Sequence, residues 1–290
     1  MTDFPTDSPL ISCDQLHRLL SQDATDNPVV ILDGSWYLPM QNRDGHAEFS
    51  QARIPGANYF DINAVSDQAT NLPHMLPDAN AFGESVGRLG ITNQSLVVVY
   101  DGAGLFSAAR VWWMFRLFGH DRVKVLDGGL PAWIEAGYEL NQSEPHRVPA
   151  TEQFDAELND GLVASMEMVR ENCDRREYRV LDARPLGRFT GEAPEPRPEL
   201  PSGHMPGATS LPFTDLLREN RLCPEDELKA KFHQLDIEVD TPVITSCGSG
   251  VTAAVITLAM EVCGLGLNRL YDGSWSEWAS HGDNPIETDQ

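Results

Sequence analysis

Four unusual pieces of this 290-residue chain occur twice, in the same order and at nearly constant separation. VVILDGSW around Asp33 returns as RVLDARPL around Asp182, 149 residues on, and IPGANYF at Pro55 returns as MPGATSLPF at Pro206, 151 residues on. SLVVVYDGAG around Asp101 returns as TPVITSCGSG around Cys247, after 146 residues, and LDGGLPAW at Asp127 returns as YDGSWSEW at Asp272, after 145. Ordered self-similarity of this kind means that one structural unit is built twice. The division that follows is a first unit over 1–138, a polar, proline-bearing linker over 139–159 and a second unit over 160–290. The length, with 41% of residues apolar, suffices for two ordinary cores.

Within each unit, short β-branched runs alternate with helical stretches. Val29 to Leu32, Leu96 to Tyr100, Arg179 to Leu181 and Pro242 to Thr245 read as strands; Ser107 to Phe118 and Thr252 to Cys263 read as helices. Such alternation predicts an α/β fold: duplicated domains, each a mainly parallel sheet flanked by helices. Reactive groups in such sheets gather at the carboxyl ends of strands, which is where Cys247 falls.

In PVITSCGSGVTAAVITLAM an apolar strand runs into Cys247, a tight Gly248-Ser249-Gly250 bend follows, and Thr252-Ala253-Ala254 opens a helix. Glycines let successive backbone N–H groups converge on one point, and the helix adds its positive N-terminal end. A loop of this kind favours an anionic sulfur, as thiolate nucleophile or as persulfide, so residues 248–252 are the expected cradle. The corresponding loop of the first unit carries Asp101 in place of the cysteine. One catalytic unit, walled by an inert one, is the expectation.

Forty-four acidic residues against 21 basic ones give a formal charge of −23, and no run of Lys or Arg is present to neutralise a phosphate backbone. Nucleic acid is excluded as a partner on this ground, and an anionic substrate would need its own cationic pocket. Five cysteines (Cys13, Cys173, Cys223, Cys247, Cys263) form an odd, scattered set without metal-ligand spacing, so neither a disulfide scaffold nor a metal site is expected. Apart from Cys247 none has a local reason to be reactive, and Cys263 falls on a helix face patterned for burial. The N-terminal segment lacks a basic start and an apolar core, and no apolar stretch approaches the roughly 18 residues of a membrane span. The expected location is the cytoplasm, with free thiols and no membrane association.

The CGSGVTA run, the two PGA turns with His204 before the second, and the closing YDGSWSEW together resemble the rhodanese and mercaptopyruvate sulfurtransferase family over nearly the whole chain. The resemblance implies tandem rhodanese-like domains and transfer of sulfane sulfur through a Cys247 persulfide, without a cofactor. Arg and Lys after the nucleophile resemble the thiosulfate-using members; Gly248-Ser249 resembles those using 3-mercaptopyruvate. Thiosulfate brings a dianionic leaving group that benefits from cations beside the attacking sulfur. The fixed charge of mercaptopyruvate is a carboxylate some atoms away, better gripped by cations set back from the loop. Arg188 and Arg197, in the proline-rich stretch after Asp182, match the family's substrate-binding pair, and Arg184 is expected to brace that stretch through an ion pair.

The resemblance also implies a proton relay between Ser249 and His74, the latter contributed by the first unit. Relatives place an acidic side chain where this chain has Asn63, with Asp61 nearby. His204 is expected to fix its Pro-Gly turn, and Trp275 and Trp278 to fill core. Acceptors implied by the family are thiols, such as thioredoxin or a small-molecule thiol, and cyanide. Two alternatives stay open: a thiosulfate sulfurtransferase, and a noncatalytic rhodanese-like module that binds partners or senses redox state. A cysteine phosphatase would need an arginine at the sixth position after the cysteine, where Ala253 stands.

Overall fold

Runs such as Val29-Val30-Ile31-Leu32 are apolar on both faces, and a strand of that kind is stable only where helices cover the sheet on both sides. The computed structural model, which describes residues 8–21, 28–144, 154–266 and 268–289, places them so. Strands β1 (Leu10–Ile11), β2 (Val29–Asp33), β3 (Ala57–Tyr59), β4 (Leu96–Tyr100) and β5 (Val123–Leu126) form a parallel sheet in the order β1-β5-β4-β2-β3. A second parallel sheet is made by β6 (Val163–Ala164), β7 (Arg179–Asp182), β8 (Ala208–Ser210), β11 (Val243–Ser246) and β12 (Arg269–Tyr271), in the order β6-β12-β11-β7-β8. The two orders are the same under the repeat. Between β8 and β11 a short antiparallel hairpin, β9 (Leu217–Arg218) and β10 (Arg221–Leu222), stands outside both sheets.

The expected strands at 179–181 and 242–245 run one residue further, to Asp182 and Ser246, and these two residues pair across the ladder. That register delivers Asp182 and the residue after Ser246, Cys247, to the same edge of the sheet. The expected helices are Ala108–Leu117 and Ala253–Val262, with Ser107 and Thr252 as their N-caps. Nine of the ten residues in the first helix and eight of ten in the second are buried. A helix apolar on all sides has to be covered on all sides. Here each lies between its own sheet and the other helix, so the two cores merge into one cluster that runs through both units.

Trp275 and Trp278 are buried as expected, their indole N–H groups donating to the carbonyls of Pro201 and Pro285. His204 does something other than fix its turn. Its ring stacks on Phe189 at 3.9 Å and bonds the Phe189 carbonyl, while its backbone pairs in both directions with Glu287. It therefore ties the helix Leu186–Thr190 to the C-terminal segment. No helix among the described residues is long and apolar enough to cross a membrane.

Candidate active site

Cys247 is 2% exposed and forms part of the wall of a cavity of about 310 Å³ at the carboxyl edge of the second sheet. Its loop is held from below by the segment after β12. The Ser274 hydroxyl accepts the amides of Cys247 and Gly250, both at 3.1 Å, and donates to the Tyr271 carbonyl at 2.8 Å. The Gly248 carbonyl accepts both the amide and the hydroxyl of Ser276, and the Cys247 carbonyl accepts the Trp275 amide. Gly250 sits at φ +77°, and a Cβ there would lie 2.7 Å from the Asp272 carbonyl oxygen, so only glycine completes the turn. The amides of Gly248, Ser249, Val251 and Thr252 meet no acceptor among the described residues.

The first unit shows what such a loop does with an anion. Asp101 follows β4 as Cys247 follows β11, and its carboxylate is held by four amides: Ala103 and Gly104 on Oδ1, both at 2.9 Å, and Phe106 and Ala108 on Oδ2, both at 2.8 Å. Under the repeat these correspond to Ser249, Gly250, Thr252 and Ala254. The loop has not merely lost a sulfur; it carries its own permanent anion. Locked in this way it presents Ala103, Leu105 and Phe106 to the cavity. Asp101→Ala would orphan the four amides, two of them on buried residues, and we expect a loss of about 3 kcal/mol of stability by denaturant titration. A midpoint unchanged from wild type would mean that the carboxylate does not hold the loop.

The three arginines converge on this cavity, and Arg184, Arg188 and Arg197 all line it. Arg184 is buried over the Trp275 ring and bridges Asp182 at 2.6 Å and Glu195 at 2.8 Å. The expected ion pair with Asp182 is present, and Glu195 adds a second. Glu195 also accepts from Arg188, so one buried carboxylate organises two guanidinium groups. Arg197 donates to the Ser276 hydroxyl at 3.1 Å and has no carboxylate partner among the described residues. Arg188 reaches so close to the loop that a Cβ on Gly248 would stand 3.0 Å from its Nη2. The cations are thus set back in sequence yet adjacent in space.

His74 is buried at φ +60° and meets Trp36 edge-on at 4.6 Å; Trp36 is a wall residue of the cavity and His74 is not. Neither ring nitrogen has a hydrogen-bond partner among the described residues, so His74 does not bond Ser249 directly, and neither Asp61 nor Asn63 orients it. Asp61 instead accepts the amides of Asn63 and Ala64. Burial, followed by the nearby charges of Arg110 and Arg197, pulls the His74 pKa down to about 3. The imidazole is therefore neutral at neutral pH. No carboxylate completes a serine–histidine triad among the described residues.

Sequence reasoning missed Glu195, Ser274, Ser276 and Asp272. Glu195 lies in the run GEAPEPRPELP, where nothing in the spacing separates it from the other acids. The other three belong to YDGSWSEW, in which only the two tryptophans have a role legible in the sequence, as core. A larger depression of about 510 Å³, bordered by Leu10, Trp112, Arg116 and Lys124, contains none of the expected catalytic or substrate-binding residues. Among the described residues no cluster of His, Cys, Asp or Glu could hold a metal ion.

A family model for the rhodanese-like domain matches residues 12–136 and again 165–281. The chain belongs to the rhodanese family. Among its relatives, thiosulfate/3-mercaptopyruvate sulfurtransferase 2 of Arabidopsis thaliana is 44% identical over 97% of this chain and 87% of its own length. The human 3-mercaptopyruvate sulfurtransferase is 41% identical over 93% of this chain and 91% of its own. Of solved structures, Escherichia coli SseA, described as a 3-mercaptopyruvate sulfotransferase of rhodanese fold, superposes with a TM-score of 0.81 at 38% identity, covering 92% of this chain and 99% of that one. The yeast protein Tum1 superposes with a TM-score of 0.88 at 32% identity, covering 99% and 100%. Tandem rhodanese domains on two parallel five-stranded sheets are thus the architecture of this rhodanese-family chain.

Proposed function

We propose that this chain is a 3-mercaptopyruvate sulfurtransferase that carries sulfane sulfur on Cys247. The observation that carries this reading is the pairing of a neutral Gly248-Ser249 loop with two arginines, Arg188 and Arg197, on the wall of the same cavity. The Cys247 thiolate attacks the donor sulfur; the new S–S bond forms as the donor's C–S bond breaks, and that electron pair moves onto carbon to give the enolate of pyruvate. A proton on that carbon completes the product. Arg197 and Arg188 hold the donor carboxylate and keto oxygen, where the developing negative charge is greatest. Residues 248–252 cradle the persulfide, as the Asp101 loop cradles its carboxylate.

Ser249, on the cavity wall, hands over the proton and regains one from solvent; His74, buried, neutral and not bonded to Ser249, is not its base and bears on the site through its edge-on contact with Trp36. A thiol then attacks the outer sulfur of the persulfide, taking it up and returning the Cys247 thiolate. Thioredoxin, a small-molecule thiol and cyanide all fit this step, and a reducing cytoplasm is the compartment that supplies such thiols. The division of labour follows the boundaries read from the repeat, 1–138 and 160–290 with the linker at 139–159; positions 145–153 of that linker lie outside the described residues.

The test is steady-state sulfur transfer to a thiol from 3-mercaptopyruvate and, separately, from thiosulfate. A large preference for mercaptopyruvate is expected; a preference for thiosulfate would overturn the assignment, and silence with both donors would favour a noncatalytic module. A sharper version uses Gly248→Ala. The added methyl would stand 3.0 Å from the Arg188 guanidinium and force it back. Catalytic efficiency with mercaptopyruvate should fall about tenfold, the worth of one displaced charge-assisted hydrogen bond. If efficiency with mercaptopyruvate is unchanged, Arg188 does not grip the donor.

A further inference from the structure

Arg110 has no solvent exposure, lies in an otherwise apolar stretch of the helix Ala108–Leu117, and has no part in the reaction as proposed. It crosses the domain interface. Nη2 forms an ion pair with Asp272 Oδ1 at 2.6 Å and donates to the His74 carbonyl at 2.7 Å, and Nη1 donates to the Gly250 carbonyl at 3.2 Å. The other oxygen of Asp272 accepts the Leu76 amide at 2.8 Å. A single buried pair thus touches the cradle at Gly250, the strained backbone of His74 and the segment that follows it.

The repeat provides an internal comparison. Asp127, the counterpart of Asp272, accepts the amide of Leu222, the counterpart of Leu76, at 3.1 Å. Asn220, the counterpart of His74, has the same left-handed backbone at φ +63° and lies against Gly104, the counterpart of Gly250. The second unit therefore hooks over the Asp101 loop as the first hooks over the Cys247 loop. The counterpart of Arg110, however, is Ile256. The domain contact forms without a buried cation where there is no nucleophile, and acquires one only where there is. A buried ion pair is poor evidence of stabilisation, because desolvation offsets most of its attraction, so its restriction to one side calls for another reason.

We infer that Arg110 and Asp272 are positioning residues for sulfur transfer: together they fix the Cys247 loop and the His74 segment to one another across the domain interface, so that the first domain acts on the chemistry through Arg110. This rests on the reading of Cys247 as the sulfur carrier.

Arg110→Gln, Arg110→Lys and Asp272→Asn, with Arg221→Gln for comparison, test it in the full chain. Arg221 bonds the Asp127 carbonyl and Glu135 at the inert hook. The readouts are kcat and KM for 3-mercaptopyruvate and the rate of Cys247 alkylation by iodoacetamide at one fixed pH. In Arg110→Gln and Asp272→Asn, kcat should fall about 100-fold, the effect of misplacing reacting groups by about an ångström, with KM changed less than about threefold. Arg110→Lys, which keeps the charge on Asp272, should recover about tenfold of the loss. Alkylation should slow as the cradle loosens, and Arg221→Gln should match wild type.

An unchanged kcat in folded Arg110→Gln would overturn the inference, as would an equal loss in Arg221→Gln, which would indicate domain packing in general. Arg110 and Asp272 variants that do not fold would also overturn it, by assigning the pair to folding. A wild-type protein that takes sulfur from neither donor fails at the functional reading itself.

Discussion

Cys247→Ser leaves a folded protein that transfers no sulfur. The hydrogen bonds that hold the loop run through the backbone of Cys247 and Gly250 to Ser274 and through the Gly248 carbonyl to Ser276; none uses the Cys247 sulfur. The substitution is close in shape, and the serine hydroxyl gains the loop amides that meet no other acceptor among the described residues, so thermal stability should change little. Serine oxygen is a poor nucleophile at its ordinary pKa and has no base bonded to it here, so turnover should fall by at least about 1000-fold. Mass spectrometry of donor-treated protein supplies the second arm: one added sulfur on the wild type and none on the variant. A variant that retains more than about 1% of turnover, or that still takes up the sulfur, would place the carrier elsewhere.

Arg197→Gln should raise KM for 3-mercaptopyruvate by about 50-fold while changing kcat/KM for thiosulfate less than about fivefold. The size follows from one charge-assisted contact to a carboxylate, worth about 1.5 to 3 kcal/mol. Arg197 is the more exposed of the pair to such a loss. Arg188 is already shared with Glu195, whereas Arg197 holds only a neutral hydroxyl and keeps its charge for the donor. Arg197→Lys should restore only part of the affinity, since an ammonium cannot make two parallel bonds to a carboxylate. Equal losses with both donors would show that Arg197 supports the loop rather than the substrate carboxylate.

How far the site was legible depends on the kind of signal each residue leaves. Cys247 was readable because a strand running straight into a glycine turn and a helix leaves a local pattern, and because the repeat supplied Asp101 as a built-in comparison. Arg188 and Arg197 were nominated through resemblance and fall on the cavity wall with Cys247. The expected partnership of His74 with Ser249 is not made directly: the imidazole is buried, unbonded and edge-on to Trp36. Glu195 and Ser276 were invisible. They act by bonding to groups that are distant in sequence or interchangeable with their neighbours in type, and no spacing rule encodes that.

By itself, the sequence determined the local and the repeated: which runs are strands buried on both faces, where the two apolar central helices lie, that one unit is built twice, and which of the two loops carries sulfur. These are set by apolar periodicity and by the conformational freedom of glycine, and both operate over a few residues. The tertiary structure decided which charges meet. Arg110 is one arginine among many until the two apolar helices pack and carry it to Asp272, Gly250 and His74. Asp272 is a turn acid until Arg110 and the Leu76 amide of the other domain reach it. Electrostatic interactions depend on distance and burial across the domain interface, and neither exists until the two sheets are folded against each other.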